Sequence, residues 1–196
     1  FGCRGALGGD TTDAWLYMIL FGGAAHGMWV VGLAWCVQHA MEHFRFTRNR
    51  LFLQERTLPL LKECCLFFLD WLVEHPETGC LVSGPSTSPE NRFLDAEGEK
   101  VRVSMGCSMD QQITWDTFTS YLEAVDELGG GDELETDVKE ALARLAPPRI
   151  GDDGRILEWG EPFAEADPGH RHMSHLFGLF PGHQFHQPDA SAFLDA

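Results

Sequence analysis

"LLKECCLFFLDWLVEH", residues 60–75, is the segment on which the fold class depends. Its side chains are apolar on nearly every face, which is typical of a helix buried inside a larger helical assembly. Thr57 and Pro59 stand at its start, where a hydroxyl can cap the helix and a proline suits the first turn. Pro76 and Gly79 are expected to end it. The segment therefore predicts a long buried helix.

Three further segments predict helices. Residues 24–43 carry apolar side chains on related turns. Ser108 and Gln111 have the spacing of a capping box, and a run of glycines ends the apolar pattern that follows them. Asp132 and Glu135 have the same spacing before another helical pattern. Helices are thus expected to make up most of the chain.

Strand signals are weak by comparison. Residues 150–159, "IGDDGRILEW", contain an Asp-Gly turn and predict a short hairpin. The chain shows no alternation of strands with helices and no run of period-two hydrophobicity. The fold class is therefore predicted to be all-α, with functional residues on the long loops that rigid helices hold in place.

The charge balance disfavours several classes of partner. The 30 acidic residues against 14 basic residues give a formal charge of −16, which argues against nucleic acid or an anionic membrane surface as a partner. A neutral ligand is compatible with this charge. Residues 14–38 lack charged side chains, but glycines interrupt them and no basic cluster flanks them, so no membrane span is expected.

Glu90 is the first candidate for chemistry. It lies in "GPSTSPENRF", residues 84–93, directly after Ser88 and Pro89, which restrict the backbone to a narrow range of conformations. A rigidly held carboxyl group near aromatic side chains suits a general acid. The alternative is a loop glutamate that hydrogen-bonds its own backbone or caps a helix.

Three histidines form the second candidate. His170, His172 and His175 lie in "PGHRHMSHLFG", residues 168–178, at spacings that suit zinc. However, no His-Glu-x-x-His motif accompanies them, and the six cysteines contain no Cys-x-x-Cys pair, so buried thiols are expected instead. Hydrogen bonding to a polar ligand is favoured over metal binding, and purely structural histidines remain an alternative.

Aromatic and further acidic residues complete the candidates. Indole faces suit sugar rings, although core packing is the commoner role for any one tryptophan. The tryptophans in or beside loops are Trp15, Trp29, Trp35 and Trp159. Hydrolysis of a glycosidic bond requires two carboxyl groups about that bond. The further carboxyl groups in apolar or glycine-rich settings are Asp13, Glu42, Asp110 and Glu158. The local sequence leaves open which of them lies opposite Glu90.

Five segments in order along the chain resemble those of one known family. They are "FGCRGALGGDTTDAW" (1–15), "GLAWCVQHAMEHFRFTRNRLFL" (32–53), "GPSTSPENRF" (84–93), "SMDQQI" (108–113) and "GHRHMSHLFGLFPG" (169–182). Together they are similar to glycoside hydrolase family 95, the family of inverting α-L-fucosidases with some α-L-galactosidases. Several motifs of this length are rarely shared by chance.

The resemblance implies a fold and a set of roles. The fold would be an (α/α)6 barrel catalytic domain, of which residues 1–196 would be the central portion with both ends truncated, because twelve helices do not fit into this length. Glu90 would be the general acid. The substrate would be a fucosylated glycan, with no metal or organic cofactor. The residues expected to bind the sugar are His170, His172, His175, Trp29 and Asn91.

The sequence also departs from the family pattern. The resemblance places a catalytic aspartate and water-orienting asparagines in motifs that this chain does not contain. Gly8 and Gly9 stand where the family often has two histidines, and Phe44 and Phe180 replace tyrosines. An α-L-galactosidase, a non-catalytic sugar-binding fragment and a zinc-binding module are therefore the alternatives.

Overall fold

The computed structural model describes residues 2–9, 11, 23 and 27–196, and helices are the main regular elements in this part of the chain. The helices are α1 (Gly32–Thr47), α2 (Arg50–Phe52), α3 (Leu58–Trp71), α4 (Ser108–Leu128) and α5 (Glu135–Arg144). A π-helical turn, Leu53–Thr57, joins α2 to α3, and 3₁₀ turns cover Ser174–Leu176, Gln184–His186 and Ser191–Leu194. No helix in the described ranges has the length and apolar character that crossing a bilayer requires.

The predicted helix at residues 60–75 is present as α3 and contributes several side chains to the hydrophobic core. Its buried side chains are Leu61, Cys64, Cys65, Phe67, Phe68 and Trp71. Phe68 packs edge to face against Phe118 of α4, with ring centroids 6.1 Å apart. Burial of a side chain of this size contributes roughly 1.5–3 kcal/mol. Burial also raises the pKa of the Cys64 thiol to about 12, so this predicted buried thiol stays protonated.

Helix α1 begins later than predicted. Residues 24–26 lie outside the described part, and Val31 is not helical but forms a bridge with Gly8. The amide of Gly32 donates to the carbonyl of Gly8 at 2.9 Å, and a Cβ atom at Gly32 would lie 2.3 Å from the carbonyl oxygen of Gly9. Only glycine permits this approach. A distant backbone contact therefore sets the start of α1.

The predicted start of α3 near Thr57 is confirmed, since the α-helix begins at Leu58 with Pro59 in its first turn, but the predicted cap by Thr57 is wrong. The helical path begins at Arg50, where the Asn49 side chain accepts from the amide of Phe52 at 3.1 Å. Thr57 is already helical, and its hydroxyl donates to the carbonyl of Ala40 rather than capping. Pro59 cannot donate a backbone hydrogen bond, and the wide π-helical turn before it accommodates a proline in a continuous helix.

Helices α4 and α5 start differently. The predicted capping box of Ser108 and Gln111 was wrong, because Ser108 is the first helical residue and its hydroxyl accepts from Gln112 Nε2 at 2.7 Å. Before α5, Asp132 accepts from the amide two residues later at 3.2 Å, and Glu135 accepts from the amide four residues earlier at 3.0 Å. The predicted start of α5 is confirmed, since Glu135 is its first residue, but the N-cap residue Leu134 makes no side-chain cap hydrogen bond. Glycine in the left-handed conformation ends α4, as predicted.

The all-α prediction missed several short strands. The described chain contains β1 (Val73–Glu74), β2 (Leu81–Val82), β3 (Ser86–Thr87), β4 (Phe93–Leu94), β5 (Lys100–Val101), β6 (Val103–Ser104) and β7 (Ala164–Glu165). They form the antiparallel sheets β1–β2, β3–β6 and β5–β4–β7. Strands of two residues carry no periodicity that a sequence can reveal. Because β1 begins at Val73, α3 also ends before the predicted stop at Pro76.

The hairpin predicted at residues 150–159 is present as a single bridge. Ile150 and Ile156 pair antiparallel, and the amide of Leu157 donates to the carbonyl of Arg149 at 2.9 Å. The chain then leads directly into Glu158.

Candidate active site

Glu90 lies in a tight turn between two of the small sheets. Before it β3 pairs with β6, and after it β4 pairs with both β5 and β7. We call the intervening segment, residues 88–92, the 88–92 loop. It turns because the amide of Asn91 donates to the carbonyl of Ser88 at 3.1 Å. Glu90 has a φ of 54°, a left-handed conformation that is uncommon for residues other than glycine. The backbone therefore holds Glu90 in one unusual geometry.

The Glu158 side chain holds this loop through two hydrogen bonds. Its Oε1 accepts from the Ser88 hydroxyl at 2.6 Å, and its Oε2 accepts from Asn91 Nδ2 at 2.8 Å. The Asn91 side chain also accepts from the amide of Arg92 at 2.7 Å. Glu158 and Asn91 are both buried. Asn91 was predicted to bind sugar, but its side-chain nitrogen is already hydrogen-bonded to Glu158 and its side-chain oxygen to the amide of Arg92.

Glu90 lines a cavity of about 670 Å³, which we call the Glu90 cavity. A cavity of this volume can hold a small organic ligand such as a sugar. The described residues on its walls include Trp29, Trp35, Thr87, Arg171, His172 and Phe177. The wall combines apolar rings with a few polar groups, which is the usual composition of a small-molecule site.

The structure separates the three predicted histidines. His172 lines the Glu90 cavity, and its Nδ1 lies 3.2 Å from the carbonyl oxygen of Pro89. His170 and His175 line a neighbouring cavity of about 530 Å³, which His172 and Glu158 also line. Nδ1 of His175 lies 3.8 Å from Glu158 Oε2. Only His172 of the three is therefore on the same wall as Glu90.

Arg171 is a residue of this site that the sequence reasoning missed. Its guanidinium forms an ion pair with Glu90 Oε2 and lines the same cavity. Both side chains are partly exposed, so the pair contributes little to folding stability. The sequence showed only that Arg171 lies between His170 and His172. Local sequence does not show that Arg171 contacts Glu90, which is distant in the chain.

Aromatic rings form one wall of the Glu90 cavity. Trp29 and Trp35 contact edge to face with centroids 5.8 Å apart, and Trp35 contacts Phe177 in the same way at 6.1 Å. Trp29 is buried, and its Nε1 has no hydrogen-bond partner among the described residues. Trp159 instead packs against Phe93 at 5.4 Å and does not line this cavity. Among the predicted tryptophans that the structure describes, Trp29 and Trp35 are therefore the two that line the Glu90 cavity.

Comparison with known proteins identifies the family. The model of the glycosyl hydrolase family 95 catalytic domain matches residues 1–196. The chain belongs to glycoside hydrolase family 95. It is similar to Alpha-L-fucosidase 2 of Arabidopsis thaliana, with 40% identity over 185 residues, 93% of this chain and 22% of that protein. It is also similar to Probable alpha-fucosidase A of Aspergillus niger, with 30% identity over 155 residues, 76% of this chain and 19% of that protein. The chain spans about a fifth of the length of these relatives.

Within this family 95 chain, the other predicted carboxyl groups occupy different settings. Asp13, like Trp15, lies outside the described residues. Glu42 forms a surface ion pair with Arg45 at 2.9 Å. Asp110 is completely buried, and burial raises its pKa to about 7 although the hydroxyls of Ser86 and Ser83 oppose the shift. Of the predicted carboxyl groups that the structure describes, Glu158 is thus the one that contacts the 88–92 loop.

The two phenylalanines that replace family tyrosines also lie in different settings. Phe180 is 82% exposed and lines the Glu90 cavity, whereas Phe44 is buried in the helical core. Only the change at Phe180 therefore removes a hydroxyl from the site. Among residues 2–9, 11, 23 and 27–196, no group of three or more histidine, cysteine, aspartate or glutamate side chains is placed to hold a metal ion.

Gln112 anchors the histidine segment to α4. It is completely buried, and its Nε2 donates to the carbonyl of His175 at 2.8 Å. Its Oε1 accepts from the amide of Gly178 at 2.5 Å. This buried side-chain amide fixes the backbone that follows His172, which the sequence did not indicate. Helix α4 therefore holds the backbone of residues 168–178, the histidine segment, through this one side chain.

Proposed function

We propose that this chain contributes the general acid and part of the sugar pocket to an inverting α-L-fucosidase-like glycoside hydrolase. The observation that carries the proposal is the rigid placement of Glu90 on the wall of a sugar-sized cavity beside Trp29 and His172. Relatives named as α-fucosidases support the choice of substrate, a terminal α-L-fucosyl group on a glycan. Residues 1–196 would form the central portion of an (α/α)6 barrel catalytic domain.

The proposed reaction is a single displacement. The carboxyl proton of Glu90 passes to the glycosidic oxygen as the bond between that oxygen and the anomeric carbon breaks. A water molecule attacks the anomeric carbon from the opposite face and loses its proton to a second carboxylate, which inverts the configuration. The family resemblance implies that this second carboxylate, an aspartate, lies outside the present sequence. Acid and base are then about 6.5–9.5 Å apart, with the water between them.

Sugar binding would use the walls of the Glu90 cavity. Trp29 and Trp35 offer apolar surface to the ring and methyl group of fucose, and His172 offers a hydrogen bond to a hydroxyl. Arg171 occupies a carboxylate oxygen of Glu90. A protonated Glu90 carries no charge and no longer forms an ion pair with Arg171. When the leaving group approaches this carboxyl group, it would therefore displace the exposed Arg171 side chain toward solvent.

The substitution Glu90→Gln in the complete encoded protein tests the role of the acid. We expect kcat on natural α-L-fucosides to fall by about 100- to 10,000-fold, because their leaving groups need protonation. Aryl fucosides with good leaving groups should lose much less, and binding of a fucose-like inhibitor should change little. Steady-state kinetics on both substrate types measures this difference.

The matched control is Glu97→Gln, which changes an exposed glutamate in the turn between β4 and β5. It should behave as wild type on both substrates. Equal losses for Glu90→Gln on natural and aryl fucosides would contradict the assignment of Glu90 as general acid.

A further inference from the structure

Glu158 is connected to both sides of Glu90 without lining the Glu90 cavity. It binds Ser88 two residues before Glu90 and Asn91 one residue after it, through different carboxylate oxygens at 2.6 and 2.8 Å. The Glu158 side chain is only 6% exposed, so water does not compete for these bonds. One buried side chain therefore bonds to residues on both sides of Glu90, in the turn that gives Glu90 its positive φ.

The backbone of Glu158 is fixed as well. Its carbonyl accepts from the amide of Ser108, the first residue of α4, at 3.0 Å. Helix α4 belongs to the hydrophobic core, so the 88–92 loop is connected through Glu158 to that core. Without this connection, the backbone between β3 and β4 is expected to leave the uncommon left-handed conformation at Glu90.

We propose that Glu158 is a positioning residue that sets the direction of the Glu90 carboxyl group through Ser88 and Asn91. The proposal rests on the proposed function, since it requires Glu90 to deliver a proton. Glu158 does not touch the substrate and takes no part in proton transfer. Its contribution is geometric, because a general acid must lie within hydrogen-bond reach of the leaving oxygen in order to act.

The test is Glu158→Ala in the complete encoded protein. A displacement of about 1 Å at a reacting group can cost about 100-fold in rate, so we expect kcat on natural fucosides to fall by about that factor. The loss on aryl fucosides should be less than about 10-fold, because they need little protonation. KM for both should change little. A merely structural role would lower both activities together.

Two further variants distinguish geometry from charge. In Glu158→Gln, Oε1 can accept from Asn91 while Nε2 donates to the Ser88 hydroxyl, so both bonds remain and natural-substrate kcat should stay within about 5-fold of wild type. Loss of the activity in this variant would overturn the geometric role. Ser88→Ala removes one of the two bonds and should give an intermediate, equally leaving-group-dependent loss, which keeps the test available if Glu158→Ala fails to fold.

The matched control is Glu161→Ala, which removes a carboxylate from the same neighbouring cavity that contacts neither Ser88 nor Asn91. It should keep wild-type rates on both substrates. Leaving-group dependence in Glu90→Gln without any in Glu158→Ala and Ser88→Ala would overturn the positioning role alone. Absence of leaving-group dependence in Glu90→Gln would overturn the proposed function itself, which keeps the two failures distinct.

Discussion

Glu90 and Arg48 are the two non-glycine residues with positive φ in the described part of the chain. Arg48 closes α1, where a left-handed residue satisfies helix carbonyl groups and has an ordinary structural reason. Glu90 ends no helix, and a left-handed conformation costs about 1–2 kcal/mol for a residue with a side chain. Strained residues of this kind concentrate at functional sites when the surroundings enforce them. The contrast between these two residues supports a functional reason for the conformation of Glu90.

His172 provides the first prediction at the residue scale. A carbonyl oxygen can only accept, so Nδ1 is the donor in the contact with Pro89, and Nε2 is the ring nitrogen left to hydrogen-bond a sugar hydroxyl. His172→Ala removes that hydrogen bond, which costs roughly 1–3 kcal/mol. The inhibition constant of a fucose-like iminosugar should therefore rise about 5- to 150-fold.

The control for His172 is the exposed histidine His186, which should tolerate replacement by alanine without a change in the inhibition constant. Chelators should leave the wild-type protein unaffected. Inactivation by chelators with recovery on added zinc would favour a metal site instead, and an unchanged inhibition constant in His172→Ala would remove His172 from the sugar site.

Asp110 provides a prediction about pH. Burial raises its pKa from 3.8 to about 7, so the folded protein keeps a proton that the unfolded chain loses at lower pH. The stability due to this group is complete below pH 4, falls as pH rises toward 7, and is constant above it, by on the order of 4 kcal/mol. Asp110→Asn removes this dependence and should raise the urea midpoint relative to wild type at pH 8 more than at pH 5.

The control for Asp110 is Asp126→Asn, which changes an exposed aspartate on the same helix. Its effect on the midpoint should be small and equal at both pH values. A difference between Asp110→Asn and wild type that is the same at pH 5 and pH 8 would contradict a neutral carboxyl group at this position.

At the scale of elements, α4 connects the two parts of the candidate site. Its first residue binds the backbone of Glu158, and Gln112 one turn later binds the backbone of the histidine segment. The neighbouring Gln111 faces another direction, where it binds the amide of Ser83 at 2.8 Å and the carbonyls of Leu81 and Ala146. Adjacent buried amides on one helix therefore support different segments.

This arrangement predicts different outcomes for two similar substitutions. Gln112→Leu and Gln111→Leu should each destabilise the protein by about 1–3 kcal/mol, because both leave buried backbone groups without partners. Only Gln112→Leu should also raise the KM for a fucoside, since it releases the segment that carries His172. Thermal denaturation and kinetics on both variants test this. A similar rise in KM for Gln111→Leu would show that general destabilisation is responsible.

At the scale of the whole molecule, some large apolar side chains are exposed where α1 meets α2. Phe46 is 86% exposed and Leu51 is 62% exposed. The relatives are about five times longer than this chain, and a barrel domain would supply further helices as partners for such side chains. This distribution of exposed residues is consistent with the proposed position of residues 1–196 within a larger helical domain.

The sequence by itself determined the features that depend on residues close together in the chain. The apolar segment at residues 60–75 predicted helix α3, and Asp132 with Glu135 predicted the start of α5. Ser88 and Pro89 identified Glu90 as rigidly held. The quoted motifs also identified the family, which the match over residues 1–196 confirms. For the two helices and the loop, the physical signal is helical periodicity, helix-start residues or backbone restriction, which acts over a few residues.

Only the tertiary structure decided which residues meet. Glu158 reaches Ser88 across 70 positions and Asn91 across 67, and Arg171 reaches Glu90 across 81. The start of α1 likewise depends on the backbone of Gly8 rather than on its own first turn. Such contacts form because packing of the helices and small sheets brings distant loops together. A local sequence pattern does not indicate which distant residues will come into contact. The support of Glu90 is therefore a property of the fold, whereas its rigid loop is a property of the sequence.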